Sequence, residues 1–177
     1  MAGQGYGRIV LIGSTAMSGM AGSVHYSTAK ASYLGLTRSL GEEGARLGIR
    51  SNLVCPAAAT RLVETMAESE FKAWLFANLK PELVTPIVAY LAHQDCAVTG
   101  EAFSAAGGRL ARIVMGETAG VVDPDLTLEK IPGLLGQVMA TEELQLNRSF
   151  AEFAPAMMAA LGFAPDESSD RPMDAPA

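Results

Sequence analysis

The sequence predicts an α/β fold built on a parallel sheet, and three neighbouring segments carry that prediction. Arg8 to Gly13 is a short aliphatic run bounded by glycines, as in a strand covered on both faces. From His25 to about Leu47 the pattern turns helical, with Ala29, Leu34, Leu36, Leu40 and Ala45 near helical spacing and Gly48 where a left-handed C-cap belongs. Ile49 to Cys55 is a second aliphatic run, which Pro56 is expected to stop. Strand, helix and strand in that order imply a right-handed crossover and a parallel pair.

The remaining elements follow along the chain. Ser14 to Val24, rich in Ser, Gly and small residues, reads as a loop. Beyond Pro56 an alanine loop leads into a mixed stretch from Arg61 to Leu79 that holds Phe71, Trp74, Leu75, Phe76 and Leu79. Pro81 suits the first turn of a helix reaching about Asp95, whose buried stripe is Leu83, Val84, Ile87, Val88 and Leu91. A third strand is expected at about Glu101 to Ala106. Gly107 and Gly108 then turn the chain into an alternating piece, Leu110 to Met115, that could add an edge strand. Two weakly amphipathic helices fit Leu126 to Thr141 and Arg148 to Leu161. Residues 164–177, with four acids and three prolines, read as a disordered tail behind a domain at residues 1–163.

Composition narrows the function classes. A chain of 177 residues, 49% hydrophobic, can bury one ordinary core. Its net charge of −6 argues against non-specific binding to nucleic acid or to an anionic membrane, since either would call for clustered Lys and Arg. No apolar stretch is long enough to span a bilayer and no secretory pattern opens the chain, so a cytoplasmic protein is expected. Cys55 and Cys96 have no partner at metal-ligand spacing and read as buried thiols in a reducing compartment. His25 and His93 likewise lack a partner, so no metal is expected.

The chemistry concentrates in Tyr26-Ser-Thr-Ala-Lys30, near the start of the long helix. Residues four apart on a helix share one face, so the phenol and the ammonium project into one space. A phenol of ordinary pKa, about 10, is a poor acid or base at neutral pH, and a nearby cation lowers that value. A Tyr and a Lys at this spacing also occur on solvated helices, so context has to decide. Here it is a serine at the strand end upstream, Asn52-Leu-Val-Cys-Pro56 at the strand end downstream, and the loop to Thr60.

With these residues in this order the chain resembles the short-chain dehydrogenase/reductase family, in which a Ser, a Tyr and a Lys carry hydride-transfer chemistry. Within that family, Thr60 to Met66, Pro81 to Val84, and Thr99 to Ser104 with Gly107-Gly108-Arg109 are similar to the (3R)-hydroxyacyl-CoA dehydrogenase domains of peroxisomal multifunctional enzymes type 2 and their bacterial relatives. The resemblance runs from Gly3 to about Gly162. It implies a partial Rossmann-like, doubly wound parallel sheet, equivalent to the carboxyl-terminal half of the family's domain. It also implies a role for each matched residue. Tyr26 exchanges a proton with the substrate oxygen, Lys30 lowers the phenol pKa and holds the nicotinamide ribose, and Ser14 hydrogen-bonds the same oxygen. Pro56 and Ala58 would pack near the nicotinamide, and Thr60 would reach its carboxamide or a phosphate.

Three departures temper this. The family usually sets its serine one residue further from the tyrosine than Ser14 stands from Tyr26, and Gly13 occupies that usual distance. Ala57 follows Pro56 where many members have Gly. The family's Gly-rich pyrophosphate turn sits between its first strand and helix, whereas Gly3, Gly5 and Gly7 here precede the first strand and Gly13 to Gly22 lead to the Tyr helix.

The expectation is therefore an oxidoreductase, dependent on NAD or NADP, that interconverts a secondary alcohol and a ketone, with a 3-hydroxyacyl-CoA among the candidate substrates. The partners expected are a small molecule, an acyl-CoA among them, and further copies of the chain in a homo-oligomer. The alternative is a non-catalytic remnant that keeps the family's oligomer contacts. The aromatics Phe71, Trp74 and Phe76 fit either a substrate lid or plain core, and Arg109 and Arg112 fit a solvated edge better than a site for a CoA phosphate.

Overall fold

The run Gly7–Ile12 forms strand β1, the long helical pattern forms α1 (Val24–Ala45), and the next aliphatic run forms β2 (Ile49–Ala57), parallel to β1 with Gly7 opposite Ile49 and Ile12 opposite Val54. The computed structural model describes residues 1–162, so the tail expected at residues 164–177 lies outside the described residues. The chain forms two compact units, one up to Val114 and another from Met115.

In the first unit β2 leads to a single helical turn, α2 (Arg61–Glu64), then α3 (Glu70–Asn78) and α4 (Thr85–Ala92). β3 (Ala102–Ala106) pairs parallel to β2, and β4 (Arg109–Ile113) turns back antiparallel through Gly107 and Gly108, both at positive φ. The sheet order is β1-β2-β3-β4, so β1 is an edge strand among the described residues. Alternation along β2 sends Val54 to one face, where it packs with Leu91, Cys96 and Ala105 beneath α4. Leu53 and Cys55 face the other way and pack with Ala102, Leu11, Tyr33 and Leu34 beneath α1. Helices on both faces make the sheet doubly wound, as expected.

The small side chains of α1 have a spatial reason. A Cβ at Gly41 would stand 2.8 Å from the Gly100 nitrogen, and one at Gly44 would stand 2.8 Å from the Ile49 carbonyl, so α1 rides closer to the loop before β3 and to the start of β2 than larger residues permit. Gly48 takes φ +68° and backs onto the Gly5 carbonyl, so both conformation and space require glycine there. Asn52 and Ser51 tie the sheet to the loop before β3. Asn52 Nδ2 donates to the Val98 carbonyl at 2.9 Å while its Oδ1 accepts from Glu101 N at 3.2 Å, and Ser51 N donates to Thr99 Oγ1 at 3.1 Å.

Three expectations are corrected. β2 does not stop at Pro56 but runs on to Ala57, with Pro56 opposite Ala105. The ladder explains why the proline is tolerated. Leu53 N donates to Glu101 O on the β3 side, while the Val54 carbonyl accepts from Gly13 N on the β1 side. Pro56 shares the parity of Val54, so its missing N–H faces the β1 side just past the point where β1 has ended. The helix expected from Pro81 to Asp95 is split into a 3₁₀ turn, Pro81–Leu83, and α4, because Pro86 lies in the first turn of the second piece. In the second unit the two late helices are shorter than expected: α5 (Ile131–Val138) begins against Pro132, and α6 (Phe150–Ala160) contains Pro155. A two-residue antiparallel pair, β5 (Glu117–Thr118) with β6 (Leu144–Gln145), completes that unit, in which none of the described residues is buried.

Candidate active site

The site starts where β1 ends. Gly13 is pressed against β2, since a Cβ there would stand 2.8 Å from Leu53 Cδ1 and 3.1 Å from Cys55 Sγ. That contact fixes the path of the chain into Ser14. The Ser14 backbone is extended, and its Oγ accepts a hydrogen bond from Ala16 N at 3.1 Å, capping the 3₁₀ turn Thr15–Ser18. The hydroxyl oxygen is thereby oriented, and its proton is left to donate outward.

Tyr26 and Lys30 share one face of α1, as their spacing requires. The Lys30 ammonium lies 5.8 Å from the centre of the Tyr26 ring and donates to the Ile12 carbonyl at 3.0 Å, next to the Gly13-Ser14 turn. Tyr26 is 39% exposed. Cys55 closes the floor. Burial pushes its thiol above the usual range, while an N–H of Ser14 and the Lys30 charge pull in the opposite direction, and burial prevails. These couplings place Ser14, Lys30 and Cys55 in one neighbourhood.

Of the residues singled out in the sequence, Ser14 and Lys30 thus stand at the carboxyl end of β1, with Tyr26 on the face of α1 that carries Lys30. The structure does not bring Pro56 and Ala58 to that group, because Pro56 shares the parity of Val54 and both residues lie on the α4 side of the sheet. Pro56 and Ala58 line an apolar groove of about 430 Å³ against Pro81, Val84, Val88 and Ala92. Thr60 is exposed and caps the start of α2 with its carbonyl, which accepts from Val63 N at 2.8 Å. Arg112 forms a two-pronged ion pair with Glu101 at 2.6 and 2.8 Å, and Arg109 donates to Ser104 Oγ at 3.1 Å, so both arginines are engaged along the sheet edge. Phe71 and Trp74 lie on α3 with parallel rings 6.4 Å apart, and both are more than half exposed.

Two residues escaped the sequence reading, one beside Lys30 and one in the segment between α2 and α3. Tyr33 approaches Lys30 more closely than Tyr26 does, with its ring centre 4.9 Å from the ammonium. Its position three residues after Lys30 was the available signal, hidden because a half-buried tyrosine on an apolar stripe looks like core. Lys72 is buried, and its ammonium donates to the carbonyls of Glu64 and Met66 at 2.9 Å each and to Glu68 Oε1 at 2.6 Å. No local pattern marks that lysine out from a solvated one.

The donor set suits one end of a nicotinamide dinucleotide. An ammonium and a phenol on one helix face, with a serine two residues beyond the carbonyl that holds the ammonium, provide partners for ribose hydroxyls and for a carbonyl or alcohol oxygen. The fit concerns the nicotinamide-ribose end alone.

The chain is similar to several known proteins. A family model described as enoyl-(acyl carrier protein) reductase matches residues 1–109. The chain is 32% identical over 161 residues to peroxisomal multifunctional enzyme A of Dictyostelium discoideum, covering 90% of this chain and 36% of that protein. It is 38% identical over 118 residues to acetoacetyl-CoA reductase of Rhizobium meliloti, covering 62% of this chain and 49% of that protein. Among solved structures, full-length peroxisomal multifunctional enzyme type 2 from Drosophila melanogaster superposes with a TM-score of 0.78 at 29% identity, covering 92% of this chain and 30% of that one. The chain therefore spans only 36% and 27% of the length of the first two curated relatives it matches.

Proposed function

The chain belongs to the short-chain dehydrogenase/reductase family, and from that premise we propose that it carries the proton-transfer half of an oxidoreductase interconverting a secondary alcohol and a ketone. The observation that supports this reading is the Lys30 ammonium, held between the Ile12 carbonyl and the Tyr26 ring at the turn that carries Ser14. NAD or NADP, when bound, supplies or accepts the hydride. In this reading Tyr26 gives a proton to the substrate oxygen in reduction and takes it back in oxidation. Ser14 donates a hydrogen bond to that oxygen, stabilising the charge that develops on it. Lys30 binds the ribose, Pro56 and Ala58 flank the ring, and Thr60 meets its carboxamide or a phosphate.

The proposed substrate is a 3-hydroxyacyl or 3-oxoacyl thioester of coenzyme A. The names of relatives support this class, since they include acetoacetyl-CoA reductase and peroxisomal hydratase-dehydrogenase-epimerase. Operation as a homo-oligomer in the cytoplasm belongs to the same proposal. No helix among the described residues is long and apolar enough to cross a membrane. The alternative reading is a non-catalytic oligomer partner.

The test titrates NADH and NADPH, then follows cofactor consumption with acetoacetyl-CoA, using the chain alone and the longest open reading frame that contains it. Saturable binding and turnover are expected in the longer form. Tyr26→Phe should lower turnover by about 10²- to 10⁴-fold while leaving cofactor affinity nearly unchanged. A Tyr26→Phe protein that keeps most of its rate would refute the assignment, and absence of saturable binding in both forms would favour the alternative reading.

A further inference from the structure

We infer that Tyr33 is a positioning residue for Lys30, an inference that rests on the role proposed for Lys30 above. A lysine at a helix surface carries its charge on a flexible four-carbon stem and samples many rotamers unless something holds it. Three groups surround the Lys30 ammonium: the Ile12 carbonyl at 3.0 Å, the Tyr33 ring at 4.9 Å and the Tyr26 ring at 5.8 Å. Both rings lie within the range in which a cation is attracted to an aromatic face, and Tyr33 is the nearer.

The two rings differ in how firmly they are held. Tyr33 is half-buried and packs against the buried cluster Leu53, Cys55 and Ala102, so β2 anchors it. Tyr26 is 39% exposed. A phenol that exchanges protons with a ligand has to face solvent and substrate, and so makes a poor clamp for its own lysine. Tyr33 supplies the clamp instead. It keeps the ammonium beside the Ser14 turn whether or not anything touches Tyr26, and the helix presents all three residues on one face because they stand at spacings of four and three.

This assignment requires the ring of Tyr33 and not its hydroxyl, which sets it apart from plain core packing. Leucine would restore much of the volume without an aromatic face, whereas phenylalanine keeps the face. Loss of such a contact should reduce the held population of the ammonium by about 2- to 30-fold.

The experiment is proton–carbon NMR of the full chain with ¹³C-labelled lysine, in which Lys30→Arg identifies the Lys30 ε-methylene signal among those of Lys72, Lys80 and Lys130. In the wild-type protein that signal should lie upfield of the others, because ring currents shield protons above an aromatic face. Tyr33→Phe should preserve the displacement, and Tyr33→Leu should remove most of it while the amide signals of β2 stay in place. Tyr33→Met provides the same loss of the ring should the leucine variant fail to fold. An undisplaced Lys30 signal in the wild-type protein overturns the inference without any variant, as does a displacement that survives loss of the ring. The readout is independent of turnover. A displaced signal in a protein that never consumes NADH would uphold the placement and sink the oxidoreductase reading, and an undisplaced signal in an active enzyme would do the reverse.

Discussion

Asn52→Ala tests how the sheet that carries the site is held together. Asn52 is fully buried, and its amide spans the loop before β3, donating to Val98 O at 2.9 Å and accepting from Glu101 N at 3.2 Å. Truncation leaves one carbonyl and one N–H of that loop without a partner in a space where water enters poorly. Each buried polar group left unsatisfied costs about 1–3 kcal/mol. Both bonds lie in partly buried surroundings, so the lower half of that range applies and the sum is about 2–4 kcal/mol. For a chain of this size that is a fall in Tm of roughly 4–16 °C. The assay is thermal unfolding followed by far-ultraviolet circular dichroism, with urea unfolding as a second measure. Asn52→Asp provides an internal check. It keeps the acceptor, loses the donor and buries a carboxylate, which raises its folded pKa above the unfolded one. Its deficit should therefore shrink as pH falls towards the carboxylate range and the group becomes neutral. A fall of less than about 2 °C for Asn52→Ala, at most about 1 kcal/mol, would show that Asn52 does not hold the loop before β3.

Three further outcomes follow from the same geometry. Lys72→Met should free the segment between α2 and α3, costing about 1–3 kcal/mol for the carbonyls of Glu64 and Met66 that lose their donor; limited proteolysis should cut between Glu64 and Ser69 several-fold faster, and an unchanged cleavage pattern would refute the clamp. Cys55 should resist iodoacetamide at neutral pH until the protein unfolds, because burial raises its pKa. The matching contribution to stability is complete below the unfolded thiol value of about 8.5 and is lost as pH rises from there through the folded value, so urea midpoints of wild type should fall over that window more than those of Cys55→Ala. Gly48→Ala should destabilise by more than about 1 kcal/mol, because φ of +68° and the Gly5 carbonyl both oppose a side chain; a Tm equal to wild type would show that the turn can relax.

Much of this fold was legible because it depends on neighbours along the chain. The aliphatic runs at β1 and β2, the helical period of α1, the left-handed turn at Gly48 and the one-turn separation of Tyr26 from Lys30 all follow from backbone geometry that a few adjacent residues set. The end of β2 was not legible, because whether Pro56 stops a strand depends on which side its missing N–H faces, and β1 settles that by ending first. The split before α4 could have been read from Pro86 but was outweighed by the apolar stripe on either side.

The sequence by itself determined the alternation of strand and helix and the placing of a phenol and an ammonium on one helix face, since both are matters of period. Only the tertiary structure decided which groups surround that ammonium. The Ile12 carbonyl reaches Lys30 from β1, Cys55 feels its charge from β2, and packing on Leu53, Cys55 and Ala102 fixes the Tyr33 ring that the helix spacing brings near. Contacts between separate strands arise from how the sheet stacks beneath the helix, and the spacing of residues along one segment does not encode them.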